Sequence, residues 1–567
     1  MKKKVGIGIQ DFSKIRENQC FYVDKTYFIK EWWESGDKAT IITRPRRFGK
    51  TLNMSMLEQF FSLQYAARND LFEGLFIWND ENYRKLQGTY PVINLSFANV
   101  KEVTLKDAGY RIRQILEEKY IKNYYLMNED IFSVEEKNYY KQMTGKMKEE
   151  DIPNALYYLS YYLYRYYGKK VIILLDEYDT PMLEAQENGY LKELKMLMGN
   201  FYDFTFSENP WMEQGIMIGI TKVDCKSLFA QSNKLYIADI MSDKYATSFG
   251  FTEEEVFAAL NRYDLGKEKE KVKQWYDGYV FGNYQSIYNP WCIAKFLDER
   301  RYKLYWAETS ANSLIEKVFR EGSRELKISF SKLLQGEHIW CHINESLFDG
   351  SLDDDENSIW RLLVVSGYMK ITSKHIDIED NMQEDLQELA FVNLEIKKMF
   401  EYMVWRWFNY ARSDYEDFVK SMLKNKVEDM EAYLERAVLT IFDYFHKGEE
   451  SIEDKTQRFY YSLVLALMMD LGNQYVFIPY YESGLGRYDV ILEPKDVNEK
   501  AFILEFKTYD KETEEELEDT IQAAFEQIEE KQYTEMLIHK GILKEKIYRY
   551  AFAFDEKRVR IGEGHVK

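Results

Sequence analysis

Cysteine is scarce in this chain: Cys20, Cys225, Cys292 and Cys341 are the four among 567 residues, each far from the next. That spacing excludes a disulfide scaffold and any Cys-x-x-Cys zinc site, and it suits a reducing cytoplasm. The nearest approach to metal-ligand spacing, His338-Ile-Trp-Cys341-His342, lacks a second ligand pair at a fitting distance. Proline is rare as well, at 8 residues, and neither an internal repeat nor a low-complexity tract occurs. Long hydrophobic runs are missing too: none approaches the roughly 20 residues that span a bilayer. The N-terminus opens on Met1-Lys-Lys-Lys and Val5-Gly-Ile-Gly-Ile, but Gln10 and Asp11 interrupt any signal-peptide core. A cytoplasmic protein with no membrane partner is expected.

Acid, by contrast, is plentiful. Asp plus Glu is 96 against 76 Lys plus Arg, a formal net charge of −20. With 46% hydrophobic and 30% charged residues the chain can bury several cores. A chain of this balance repels polyanions at long range, so any nucleic-acid contact needs a local basic surface. One candidate is residues 1–51, with 12 basic and 6 acidic residues, ending in Arg44-Pro-Arg46-Arg47-Phe-Gly-Lys50. Residues 509–530 carry ten acids and one lysine, as on a solvated helix face. Tyrosine is abundant, at 46 residues. The run Tyr157, Tyr158, Tyr161, Tyr162, Tyr164, Tyr166 and Tyr167 is read as amphipathic helix packing in preference to a base-stacking stripe.

Length predicts three to four domains at about 150 residues each. In the first half, short apolar strands alternate with longer helical stretches. Strands are predicted at 40–43, 90–97, 171–175 and 216–220, with helices from Leu52 through Met56 and Phe60, and over 105–127. From about residue 250 the pattern turns mostly helical, opening with a capping box of Thr252 and Glu255. Polar breaks at 349–357 and 446–451 mark linkers. Beyond them an apolar helix is predicted at 459–471, strands at 475–481, 488–492, 502–506 and 549–554, and a long helix at 514–531.

Gly49-Lys50-Thr51 sits where a strand gives way to a helix. There the backbone N–H groups of Arg47, Phe48 and Gly49 would cradle phosphate, Lys50 would reach the β/γ oxygens, and the Thr51 hydroxyl would ligate Mg²⁺. A full G-x-x-x-x-G-K-[ST] loop wants glycine at position 44, where this chain has Arg44. The apolar strand 171–175 ends in Asp176 and Glu177. Asp176 is placed to hold Mg²⁺ through water, and Glu177 to orient and deprotonate the attacking water. Thr221, with Lys222 beside it, follows another apolar strand and is a candidate sensor of the γ-phosphate.

In the C-terminal part, Gly484-Leu-Gly486-Arg-Tyr-Asp489 is followed by Phe502-Ile-Leu-Glu505-Phe-Lys507. On a strand, Glu505 and Lys507 share a face. An antiparallel return through 493–501 would bring Asp489 beside them. Two carboxylates can hold Mg²⁺ or Mn²⁺, and a nearby lysine can position a water and neutralise developing phosphate charge. Glu482 is a further candidate acid.

Tyr22-Val-Asp-Lys-Thr26, Arg44-Pro-Arg-Arg-Phe-Gly-Lys-Thr51, Leu175-Asp-Glu-Tyr-Asp179, Trp275-Tyr-Asp-Gly-Tyr279 and Tyr288-Asn-Pro-Trp291 closely resemble the bacterial AAA-ATPase-like proteins. The resemblance runs from about residue 5 to 290. It implies an ATP site with Lys50, Thr51, Asp176 and Glu177 as the nucleotide and magnesium residues, a loop whose first glycine is routinely replaced, and a basic residue after the sensor-strand threonine, matched by Lys222. Residues 455–567, including Glu526-Gln-Ile-Glu-Glu-Lys-Gln-Tyr533 and Tyr550-Ala-Phe-Ala-Phe554, resemble the PD-(D/E)xK nuclease-like domain that often accompanies that region. Gln527 and Tyr533 belong to this pattern.

The expectation is an α/β protein. It has an N-terminal P-loop NTPase domain (parallel sheet flanked by helices) over 1–245, a mostly helical lid and middle region over 246–450, and a C-terminal α/β restriction-endonuclease-like domain over 451–567. The resemblance implies an ATP-hydrolysing motor or switch fused to a Mg²⁺-dependent nuclease, acting on DNA in genome maintenance or defence. A nucleotide-dependent switch that grips nucleic acid or protein without cutting stands beside it.

Overall fold

The structure is a computed structural model. It describes residues 3–222, 235–306, 324–334, 336–343, 356–379, 382–408, 412–435, 471, 474–482, 487–510, 513–531, 533–555 and 558–565. The chain divides into two compact units, residues 1–318 with 332–399, and residues 319–331 with 400–567.

The first unit is built on five strands: β1 (Ala39–Thr43), β2 (Val92–Ser96), β3 (Val171–Asp176), β4 (Met212–Gly219) and β5 (Leu235–Ala238). Their order is β2-β3-β4-β1-β5, and every pair is parallel. Every residue of β1 and β3 is buried, which explains why both read as unbroken apolar runs rather than as alternation. Helices cover the sheet, among them Lys50–Phe61, Leu105–Lys122, Ala155–Tyr167 and Leu191–Tyr202. The Thr104 side chain caps the second of these by accepting from Asp107 N–H. Ile93, Leu95, Ile112, Leu116, Leu159, Ile173, Leu175 and Met217 share one core. Tyr162 joins it, whereas Tyr158 and Tyr167 are each 38% exposed, so packing accounts for one side of the tyrosine helix only.

The remainder of this unit is mostly helical, with Glu253–Arg262, Lys269–Tyr276 and Pro290–Glu299. The capping box of Thr252 and Glu255 forms as expected. Two small antiparallel sheets accompany the helices. One is β6 (Phe251–Thr252), β7 (Tyr279–Phe281) and β8 (Tyr284–Tyr288), in the order β6-β8-β7. The other is β9 (Ile339–His342), β10 (Met369–Glu379) and β11 (Met382–Phe391), in the order β10-β11-β9. The sequence pattern hid both, because β6 to β8 are short and the β10–β11 hairpin is dense in charged residues.

The second unit carries β12 (Tyr475–Glu482), β13 (Arg487–Pro494), β14 (Ala501–Thr508), β15 (Ile547–Asp555) and β16 (Arg558–His565), in chain order across the sheet. All neighbours are antiparallel except β14 and β15. That parallel step needs a crossover, supplied by helices Leu517–Glu530 and Tyr533–His539. Alternation along β14 feeds two cores: Phe502, Leu504 and Phe506 on one face, Ala501 and Ile503 on the other. The edge strand β16 was not foreseen. Except for Leu471, the helix expected at 459–471 lies outside the described residues, as do the break at 446–451 and the glycine turn at 483–486; of the break expected at 349–357, residues 356 and 357 open helix Glu356–Val365 and the rest lies outside the described residues. Among the described residues no helix is long and apolar enough to cross a membrane.

Candidate functional site

Parallel strands end at one edge of a sheet, and the loops leaving β1, β3 and β4 meet there. After β1 the chain runs through residues 44–49 into helix Lys50–Phe61. Arg47 (φ 67°) and Gly49 (φ 79°) are both in the left-handed region, a conformation that costs a non-glycine residue energy and collects at functional loops. Arg44, at the position where glycine was wanted, is fully buried and turned away from the loop. Its guanidinium donates to the carbonyls of Thr43, Ala238 and Asp239 at 2.8, 3.2 and 2.7 Å and stacks on Phe281 at 4.7 Å. Burial pushes its pKa down to about 10. The arginine thus ties the base of the loop to the end of β5, a bond set that glycine could not make.

Lys50 is 4% exposed. Its ammonium donates to the carbonyls of Arg44 and Pro45 at 3.0 and 3.1 Å and lies 3.9 Å from Glu177 Oε1. The Thr51 hydroxyl donates to Asp176 Oδ2 at 2.8 Å. Asp176, at the end of β3, is buried. Burial, and then the Glu177 charge, raise its pKa to about 6, against the Thr51 hydrogen bond and the Lys50 charge. Glu177 is half-buried and left-handed (φ 52°), with its N–H donating to Asp176 Oδ1 at 3.0 Å. Lys50, Thr51, Asp176 and Glu177 therefore form one cluster spanning β1 and β3.

Thr221 is placed differently from expectation. Its hydroxyl donates to Asp179 Oδ2 at 2.8 Å, and the same oxygen accepts the N–H groups of Ile220 and Thr221 at 2.9 and 2.7 Å. Asp179 is fully buried, and burial, then the nearby Glu177 charge, raise its pKa. The acid fits only because position 219 is glycine: a Cβ there would lie 2.3 Å from Asp179 Oδ1. The sequence reading passed over Asp179, although it closes the Leu175-Asp-Glu-Tyr-Asp179 string. Phe48, proposed from sequence as a nucleotide contact, buries its ring against Tyr279 and Phe281 at 4.8 and 5.3 Å, leaving its backbone for the loop.

The motifs at 275–291 wall the loop. Asn289, fully buried, caps helix Pro290–Glu299 through Trp291 N–H at 2.9 Å and donates to the Arg46 carbonyl at 3.2 Å. Trp291 lies under the exposed Arg47 guanidinium at 4.5 Å. Trp306 donates its indole N–H to the same Arg46 carbonyl at 3.0 Å, and its backbone N–H donates to Glu395 at 2.6 Å. Trp306 and Glu395 were missed, since nothing local in sequence marks them.

In the second unit, the antiparallel register of β13 and β14 pairs Asp489 directly with Glu505. Glu505 is fully buried on the face shared by Ala501 and Ile503, and Lys507, two residues on, is half-buried. Gln527 and Tyr533, each 6% exposed, come from the crossover helices. The side chains of Glu482 and Asp489 lie outside the described residues. Among the described residues no group of three or more His, Cys, Asp or Glu gathers as a metal cluster.

Sheet order and loop define the class of the first unit, a P-loop NTPase fold. Comparison with known proteins agrees. Residues 6–229 match the family described as "Predicted AAA-ATPase", and residues 455–564 match the PD-(D/E)XK nuclease superfamily. The chain therefore carries an AAA-ATPase-like domain and a PD-(D/E)XK nuclease superfamily domain. A protein of Azotobacter chroococcum mcd 1, named "Uncharacterized protein in vnfD 5'region", is 28% identical over 323 residues. That alignment covers 56% of this chain and 57% of the relative.

Proposed function

We propose that the protein binds ATP with Mg²⁺ at the N-terminal loop and hydrolyses it. We propose further that its nuclease-like domain cleaves nucleic acid, DNA in the first instance, with Mg²⁺ or Mn²⁺. The observation that carries the first part is the single cluster of Lys50, Thr51, Asp176 and Glu177, with Thr51 and Asp176 2.8 Å apart. The donor set fits a hard cation: one hydroxyl and one carboxylate, already aimed at each other. Bound magnesium would supply charge neutralisation at the β- and γ-phosphates.

In this reading the Lys50 ammonium exchanges loop carbonyls for phosphate oxygens. Thr51 and Asp176 hold the metal. Glu177, 3.9 Å from the Lys50 ammonium, orients the attacking water and takes its proton. Lys222 meets the terminal phosphate, because the Thr221 hydroxyl is already committed to Asp179. In the second unit, Asp489 and Glu505 hold the cation, and Lys507 orients water and steadies the developing charge. The protein is proposed to work in the cytoplasm, in genome maintenance or defence against foreign DNA.

A second reading is a nucleotide-dependent switch whose nuclease-like domain binds without cutting. The acids around the start of helix Leu517–Glu530, Glu514, Glu515, Glu516, Glu518 and Asp519, favour a protein rather than a nucleic acid as the partner in that reading, since they repel a polyanion. One experiment separates the two: incubation with DNA and RNA, single- and double-stranded, with Mg²⁺ or Mn²⁺, with and without ATP. Cutting supports the first reading. Retention of a nucleic acid without cutting supports the second. The Lys50→Ala variant serves as control, with ATP affinity expected to fall about tenfold or more.

A further inference from the structure

Beside the phosphate loop, bordered by Pro45, lies a cleft of about 150 Å³ within the first unit. Its walls are Pro45, Tyr279, Phe281, Met369 and Val392, and the basic side chain among its lining residues is Lys370. Lys370 projects from β10 and is half-buried, without a hydrogen bond or ion pair among the described residues; burial lowers its pKa, against the charge of Asp277. A desolvated ammonium held without a close counter-charge is costly, and structures keep such groups where something else supplies the charge.

Gly278 lets the Val392 backbone, which lines the cleft, approach beside that ammonium. It adopts φ 123°, and a Cβ there would sit 2.0 Å from the Val392 carbonyl oxygen and 3.2 Å from Lys370 Nζ. The exposed rim holds Asp243 and Asn283, which are bonded to each other at 2.6 and 2.8 Å. Asp243 is thus occupied, and the one uncommitted charge is positive.

We propose that this cleft binds a small organic carboxylate anchored on Lys370, and that its occupancy is coupled to nucleotide binding. Size and charge select the ligand class. Drug-sized sites run to about 300–1,000 Å³, so this one takes a smaller molecule. A phosphate dianion calls for several donors or a guanidinium fork, and the lining offers one lysine. A carboxylate matches a single ammonium, and a short aliphatic tail matches the apolar walls.

The coupling runs through shared residues and rests on the nucleotide reading above. Pro45 lines the cleft while its carbonyl accepts the Lys50 ammonium at 3.1 Å. Phe281 lines it while touching Phe48 at 5.3 Å and Arg44 at 4.7 Å.

The test uses the full chain and butyrate as probe, with butyramide as its neutral counterpart, at constant ionic strength and without nucleotide. Saturation-transfer NMR should show millimolar butyrate binding, about tenfold weaker for butyramide and about tenfold weaker in Lys370→Met, whose stem still fills the wall. Lys370→Arg should keep most of the affinity, and Gly278→Ala should lose it. Equal binding of butyrate and butyramide, unchanged affinity in Lys370→Met, or no binding by the wild type overturns the site. ATP affinity measured with and without saturating butyrate should differ at least threefold, and the difference should vanish in Lys370→Met. Butyrate binding with unchanged ATP affinity overturns the coupling. A chain that binds butyrate and no ATP at all fails the nucleotide reading instead, and leaves the site standing.

Discussion

Burial and the Glu177 charge raise the Asp176 pKa from 3.8 to about 6. An acid shifted upward on folding favours the fold only while protonated. Its stabilising share is full below about pH 3.8 and lost as pH rises through about 6. At neutral pH, then, Asp176 is a costly carboxylate, and a bound cation would relieve that cost. Magnesium should strengthen ATP affinity at pH 7.5 and do so progressively less below pH about 6, by up to tenfold per pH unit. Calorimetry at several pH values, with and without Mg²⁺, measures this; Asp176→Asn should show little magnesium effect at any pH. Glu177 predicts a different split. Glu177→Gln keeps its shape and removes the base, so turnover should fall by about 10²–10⁴ while ATP affinity changes little. Phosphate release at the wild-type rate in that variant would assign the water to another residue.

At the scale of elements, one buried carboxylate joins the ends of β3 and β4. Asp179 satisfies two backbone N–H groups and the Thr221 hydroxyl with a single oxygen. Asp179→Ala leaves those donors stranded, which should cost about 1–3 kcal/mol in chemical denaturation. It should also release the turn carrying Lys222, lowering turnover more than ATP affinity. Equal loss in both would make Asp179 a purely structural tie. Such ties are what sequence reading could not see. The strands β1, β3 and β4 and the Lys50, Thr51, Asp176 and Glu177 set were legible because each is local: an apolar run, then a short polar string at its end. Arg44 and Asn289 were not. Their partners are remote in the chain, the Ala238 carbonyl for one and the Arg46 carbonyl for the other, and a bond across 194 or 243 residues leaves no local pattern. The short β6 to β8 sheet escaped for a related reason, as each strand is too brief for alternation to register.

At the scale of the whole molecule, the two candidate sites fall in different compact units, each with its own cores. The β13–β14 pairing was readable from the Asp489 and Glu505-x-Lys507 spacing, and the structure gives the expected antiparallel register. A hairpin with acids at paired positions sets two carboxyl-bearing residues side by side, a pairing a divalent cation can bridge. Glu505 is fully buried. If a divalent metal is held at this pair, Asp489→Ala or Lys507→Ala should abolish cleavage and leave ATP hydrolysis largely intact. If ATP turnover instead drives the nuclease-like domain without chemistry there, both variants should keep whatever nucleic-acid retention the wild type has. Phosphate release and strand cutting, assayed on one preparation of each variant, distinguish these outcomes. Cutting that survives in both variants places the activity outside this hairpin, and ATP hydrolysis that falls with cutting in either one denies that the two units work independently.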